Sequence, residues 1–178
     1  MTKPYVAVCC IVAALSSALI SGAQPPVVFP QLTATNLAKE KMKLPQDFAG
    51  TRNLLLIAFE REQQKDVDTW LPAVKEIEAA HPNFRYYELP AIGRSNPLFR
   101  WYLDSSMRSG IPDSVARSRT ITLYIDKQSF RHTLDIPSES AISALLVDKA
   151  GKVVWRATGE FTEEKKANLL AELQAAGV

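Results

Sequence analysis

The sequence predicts one α/β domain, a central mixed sheet flanked by helices with a helical insertion between strands. Three observations predict it. Asn53 to Phe59 and Ala144 to Val147 are uncharged, mostly aliphatic runs of strand length, the pattern of strands buried on both faces. After the second run, Asp148-Lys149-Ala150-Gly151 is turn chemistry, and Lys152 to Ala157 reads as the returning strand of a hairpin. Between the two runs, Val67, Trp70, Leu71, Val74 and Ile77 recur at helical spacing. A chain of 178 residues has room for one such core and not comfortably for two.

Residues 1–23 are expected to lie outside that core. Lys3 precedes an apolar run from Val6 to Ile20, and Ser21-Gly22-Ala23 is a small-x-small site, so the segment reads as a secretory signal cleaved after Ala23. The competing reading is a retained membrane anchor, for which the run falls short of the roughly 20 residues that span a bilayer. Cleavage predicts a secreted or periplasmic protein with no stable membrane span. It also removes Cys9 and Cys10, the two cysteines of the chain, and so removes disulfides and thiol exchange together. The net charge of +2 falls to +1 without Lys3, a balance that argues against nucleic acid as a partner.

Residues 24–31, with Pro25, Pro26 and Pro30, read as an extended, mobile linker, and 32–178 as the domain. Leu32 to Leu44 is mostly polar, with Met42-Lys43-Leu44 a short edge strand ended by Pro45. Asp47 to Gly50 is a turn before the first buried strand. The helix from Asp66 runs to about His81-Pro82, and Pro72 inside it is expected to bend it. Phe84 to Leu89 is the next strand. Thr120 to Asp126 is another, followed by a short helix from Lys127 to Leu134 and a loop through Ile136 to Ser140. After the hairpin, Gly159 releases the chain. Thr162 then caps a closing helix that begins with Glu163 and Glu164 and turns Ala167, Leu170, Leu173 and Gln174 or Ala176 inward.

Residues 90–119 read as the insertion. Pro97 can open a helix and Gly110 close it. Phe99, Trp101, Tyr102, Leu103 and Met107 are mixed with Arg94, Arg100 and Arg108, and Arg117 and Arg119 follow. One expectation lays the helix on the sheet by its aromatic face, with the arginines solvated. The other makes Arg94, Arg100, Trp101, Arg108, Arg117 and Arg119 a partner-binding surface, since arginine and aromatics are the types enriched at interface hot spots.

Leu44-Pro45-Gln46-Asp47-Phe48-Ala49-Gly50, Asn53 to Phe59, Val67-Asp68-Thr69-Trp70-Leu71-Pro72, Ile111-Pro112, and Ala144 to Trp155 with Gly159 together resemble the thioredoxin-like superfamily. Within it they resemble the mitochondrial ATP-synthase assembly factors and their bacterial relatives. In redox-active members a CxxC pair stands at the start of the first helix, and its matching position here is Gln64-Lys65-Asp66-Val67. Those enzymes also carry a cis-proline before the penultimate buried strand, where this chain has Ile142. The resemblance therefore implies a redox scaffold without a redox nucleophile and, by analogy with the assembly factors, a protein partner.

Other chemistry is thinly represented. Glu60, Glu62, Asp66 and Asp68 cluster where strand gives way to helix, a usual place for sites in α/β sheets, though acids there also simply stabilise the helix start. With His132 they define the alternative reading, a thiol-independent enzyme with an acidic site at the start of the first helix. Two histidines without thiols make a poor soft-metal site, and neither a phosphate-binding glycine loop nor a G-x-S-x-G elbow is present, so no metal and no cofactor are expected.

Overall fold

A computed structural model of the chain describes residues 25–177. The expected signal segment, its cleavage site and both cysteines lie outside the described residues. The sheet has seven strands in the order β2-β1-β5-β4-β3-β6-β7. They are β1 (Leu32–Asn36), β2 (Lys41–Leu44), β3 (Arg52–Ala58), β4 (Phe84–Gly93), β5 (Ile121–Ile125), β6 (Ser143–Asp148) and β7 (Val153–Thr158). The helices are α1 (Gln64–Ala80), α2 (Pro97–Gly110), α3 (Ser114–Arg119), α4 (Lys127–Thr133) and α5 (Glu163–Ala175). β3, β4 and β5 are parallel to one another, while β6, β7, β1 and β2 join by antiparallel pairing.

The unbroken apolar run of β3 has a direct cause, since successive side chains leave a strand on opposite faces and both faces here are covered. Leu54 and Leu56 pack with Val67, Trp70, Val74 and Ile77 of α1 and with Leu169 and Leu173 of α5. Leu55 and Ile57 face Phe29, Phe48, Phe130 and Leu134 on the other side. β6 closes the hairpin onto β3, and Gly151 in its turn has φ +85°, where a Cβ would lie 2.6 Å from Cγ of Pro45. A side chain there would be strained by the backbone and blocked by the neighbour.

Several expectations change. The stretch 24–31 is not a loose linker over its described part: Phe29 is buried, its amide donates to Gly151 O at 2.8 Å, and Val153 N donates to Val27 O at 2.8 Å. A large aromatic side chain seated between Phe48 and Phe130 outweighs the looseness that three prolines suggest. The insertion begins later than Pro90, because β4 continues to Gly93; Pro90 is the last residue paired to β3, and the strand then runs on beside β5. Pro72 does lie inside α1, and it is exposed, so the carbonyl it leaves unpaired belongs to exposed Asp68 and can be hydrated. In α5 the inward pair is Leu169 and Leu173, and Ala167 is exposed.

Candidate functional site

The carboxyl end of β3 meets the start of α1 through Phe59, Glu60 and a 3-10 turn, Arg61–Gln63. Gln63 turns its side chain inward, where Oε1 accepts from Phe59 N at 2.8 Å and Glu60 N at 3.3 Å while Nε2 donates to Glu139 O. One buried amide thus ties the strand end to the loop before β6. Gln64 is the first residue of α1 and donates to Asp68 Oδ1 at 3.0 Å and Glu88 Oε2 at 3.3 Å. Burial pushes the Glu88 carboxyl above its ordinary 4.5, against the hydrogen bond from Gln64. Lys65 is exposed, Asp66 half-buried, and Val67 lies in the core. Ile142 is fully buried in the same apolar cluster as Val67, and its carbonyl accepts from Gly159 N at 2.9 Å. The structure therefore places Val67 and Ile142 in one apolar cluster and sets Gln64 at the helix N-terminus.

Beside this turn stands a network centred on Lys127 and Glu139, which the sequence reading did not single out. Lys127, on the first residue of α4, donates to Phe59 O at 3.0 Å and pairs with Glu139 Oε2 at 2.7 Å and Glu60 Oε1 at 3.4 Å. Arg131 Nε takes the other oxygen of Glu139 at 3.1 Å. The hydrogen bond from Lys127 holds the Glu139 carboxyl below its ordinary 4.5. Burial acts to lower the Lys127 ammonium, but the bonds and charges of Glu139 and Glu60 raise it on balance. Lys127 and Arg131 are spaced one helical turn apart, the one signal that could have marked them.

The acids of the alternative reading meet different surroundings, and Asp66 among them is half-buried. The Glu60 carboxylate is held by Lys127, Asp68 by Gln64, and Glu62 and His132 are exposed. None of them lines either groove described below. Among the described residues no three His, Cys, Asp or Glu side chains are grouped to hold a metal ion.

In the insertion, the expectation that lays the aromatic face on the sheet with the arginines solvated is reversed. No residue of α2 is fully buried, and Leu98, Trp101 and Tyr102 are 75%, 67% and 64% exposed, with Phe99 beside them. The arginines turn inward instead. Arg100 lies 4.8 Å over the ring of Tyr124, whose hydroxyl donates to Asp104 Oδ1 at 2.8 Å, and Arg108 Nε donates to Leu37 O at 2.8 Å. The sheet surface beneath α2 offers Thr33, Thr35, Thr122 and Tyr124, a polar floor that suits guanidinium stems better than aromatic faces. Arg119, on α3, pairs with Glu78 Oε1 at 2.6 Å and lies 4.6 Å over Tyr86. Arg108 and Arg119 thus have a hydrogen-bond or ion-pair partner within the chain, while Arg100, among the described residues, has only the Tyr124 ring. Arg94 and Trp101 face solvent, and Arg117 is half-buried.

Two grooves flank these elements. One of about 290 Å³ lies among Asn36, Met42, Arg85, Tyr86, Val115 and Arg119, where both arginines share Glu78. The other, of about 200 Å³, lies between α2, β1 and β5. Among the described residues no helix is long and apolar enough to cross a membrane.

No protein-family profile and no curated protein matches the chain. Solved structures do. The thioredoxin domain of a thiol-disulfide oxidoreductase from Bacteroides vulgatus aligns over 85% of this chain and 99% of its own, at 17% identity and a TM-score of 0.53. An exposed lipoprotein thioredoxin from Streptococcus pneumoniae aligns over 81% and 100%, at 16% identity and 0.52. BsSco, a member of the Sco family of cytochrome c oxidase assembly proteins, aligns over 83% and 94%, at 14% identity and 0.55. At such identities the likeness is one of architecture: the chain has a thioredoxin-like fold.

Proposed function

We propose that this is an exported thioredoxin-fold protein without thiol redox chemistry that binds a protein partner through the outward face of α2. The observation that carries the reading is the cluster of Leu98, Trp101 and Tyr102, large apolar side chains left in water on a helix none of whose residues is fully buried. The absence of cysteine from residues 25–177 supports the redox part, as does the packing of Val67 and Ile142 into the core where redox-active members carry a thiol and a cis-proline. Export rests on the leader pattern of residues 1–23. A role in assembling an envelope complex follows the resemblance to the ATP-synthase assembly factors, and the Sco neighbour is itself described as an assembly protein. The client of either is not carried over.

The test replaces Trp101 with a photo-crosslinking phenylalanine analogue and irradiates intact cells. The reading expects a discrete crosslinked protein that disappears when Leu98 and Tyr102 are changed to serine. A diffuse pattern identical to that from a probe at exposed Lys65 would overturn it.

A further inference from the structure

The sheet is not closed along its whole length. β1 and β5 pair at Thr35 with Thr122 and at Asn36 with Ile121, and no farther, although β1 extends back to Leu32 and β5 on to Ile125. The outer edges of both remain paired, to β2 and β4. The strands therefore part into a mouth, the groove of about 200 Å³, lined by Leu32 to Thr35 and Thr122 to Ile125 with Arg100 and Asp104 of α2 beside them.

Its polar lining is incompletely used. Thr122 is only 2% exposed, yet its Oγ1 has no hydrogen-bond partner, and Arg100 Nε is likewise buried without one. Each such atom is a standing cost to the fold. The Arg100 guanidinium has no carboxylate partner among the described residues and rests on the Tyr124 ring alone. Asp104, the acid that lines the mouth, accepts the Tyr124 hydroxyl on one oxygen and forms no ion pair with Arg100. The insertion as a whole is cationic: Arg94, Arg100, Arg108, Arg117 and Arg119 against Asp104 and Asp113 give +3 over residues 90–119, in a chain whose total is +2.

We propose that this mouth receives an extended peptide segment of the partner, its main chain pairing with the open edge of β1 or β5 and a carboxylate of the segment seated on Arg100. Open strand edges supply main-chain hydrogen bonds, an unpaired guanidinium supplies the anion site, and a groove of this size suits a short stretch of chain better than a cofactor. This rests on the partner-binding reading and gives the partner's chemistry, but it uses a different face of α2.

The experiment titrates ¹⁵N-labelled protein with an N-acetylated tetrapeptide of alternating threonine and valine, as the free acid and as the C-terminal amide, and with acetate. The free acid is expected to shift the amides of Leu32 to Thr35 and Leu123 to Ile125, and the amide to bind at least about 10-fold more weakly, the loss of one charge-assisted hydrogen bond. Arg100→Gln should erase the difference between acid and amide. Thr122→Val, nearly isosteric, should keep the protein folded while weakening the free acid. Equal binding of acid and amide, acetate binding the same amides as tightly as the peptide, or shifts confined to residues outside the mouth would each overturn the proposal. Shifts confined to Leu98, Trp101 and Tyr102 would sink the mouth and leave the α2 surface standing. Binding in the mouth with no crosslink from position 101 would do the reverse.

Discussion

Arg119 separates a folding role from a recognition role. The residue belongs to the arginine-aromatic set that the sequence offers as a partner surface, yet its side chain and that of Glu78 are each only 17% exposed, 2.6 Å apart, with the guanidinium stacked on Tyr86. Arg119→Ala removes a largely desolvated charge-assisted hydrogen bond, about 1.5–3 kcal/mol, and a cation–π contact of about 0.5–1 kcal/mol. Glu78 is not stranded, because Arg85 Nε stands 3.7 Å from the same oxygen, so the expected loss is about 2–3 kcal/mol in all. For a domain of this size that lowers Tm by about 4–12 °C. Thermal unfolding followed by circular dichroism measures it, and a double-mutant cycle with Glu78→Gln assigns the coupling to this pair. The crosslink from position 101 should survive at temperatures below the new midpoint. An unchanged Tm together with loss of the crosslink would refute the reasoning, because Arg119 would then act on the partner and not on the fold.

Trp101→Ala, by contrast, removes a side chain that is 67% exposed, so stability should stay within about 0.5 kcal/mol while partner capture in a pull-down is lost. Gly151→Ala places a Cβ at φ +85° and 2.6 Å from Pro45 Cγ; denaturant titration should show a loss of at least about 2 kcal/mol, and a smaller one would mean that the hairpin turn can relax. The Lys127–Glu139 pair makes stability depend on pH at both ends. Glu139 is depressed in the fold, so its contribution is present above the ordinary 4.5 and lost as pH falls through the lower folded value. Lys127 is raised, so its contribution is full below the ordinary 10.5 and lost as pH climbs through the folded value. Lys127→Met should flatten both limbs in thermal melts across pH, and unchanged limbs would mean that the pair is solvated in solution.

What could be read in advance tracks the length scale of the physics involved. β3 and β6 declare themselves because burial on both faces keeps charge out of their interiors and leaves it only at the ends, Arg52 and Asp148, and α1 because Val67, Trp70, Val74 and Ile77 repeat at the helical period. β1 alternates apolar and polar as a half-buried strand should, but over only five residues, with two threonines that read equally well as loop. α3 has one turn and a half and is defined by its Asp113 cap, which accepts from Val115 N, more than by any periodicity. Phe29 and the Lys127 network depend on partners far along the chain, Gly151 for one and Glu60 and Glu139 for the other, and no local pattern encodes such pairings. The inward face of α2 is legible in part, since Leu103, Met107 and the capping Ile111 lie at i, i+4 and i+8 with Arg100 on the same stripe, whereas Arg108 stands seven residues from Trp101 and turns in only through its bond to Leu37 O. The large aromatics Trp101 and Tyr102, which composition alone would assign to the core, stand in water.

That reversal bears on where recognition resides. At the start of α1 the polar groups are tied to one another: Gln63 to two backbone amides and a carbonyl, Gln64 to two carboxylates, Lys127 to two acids and a carbonyl. A partner engaging that end would have to break these bonds and meet the cost of desolvating each group. Around α2 the balance runs the other way. Leu98, Trp101 and Tyr102 already bear the unfavourable hydration that contact would relieve, and Arg100 and Thr122 already lack the bonds that contact would supply. Binding on this side of β4 therefore gains free energy that the isolated fold forgoes, and the proposed partner should select the insertion over the start of α1.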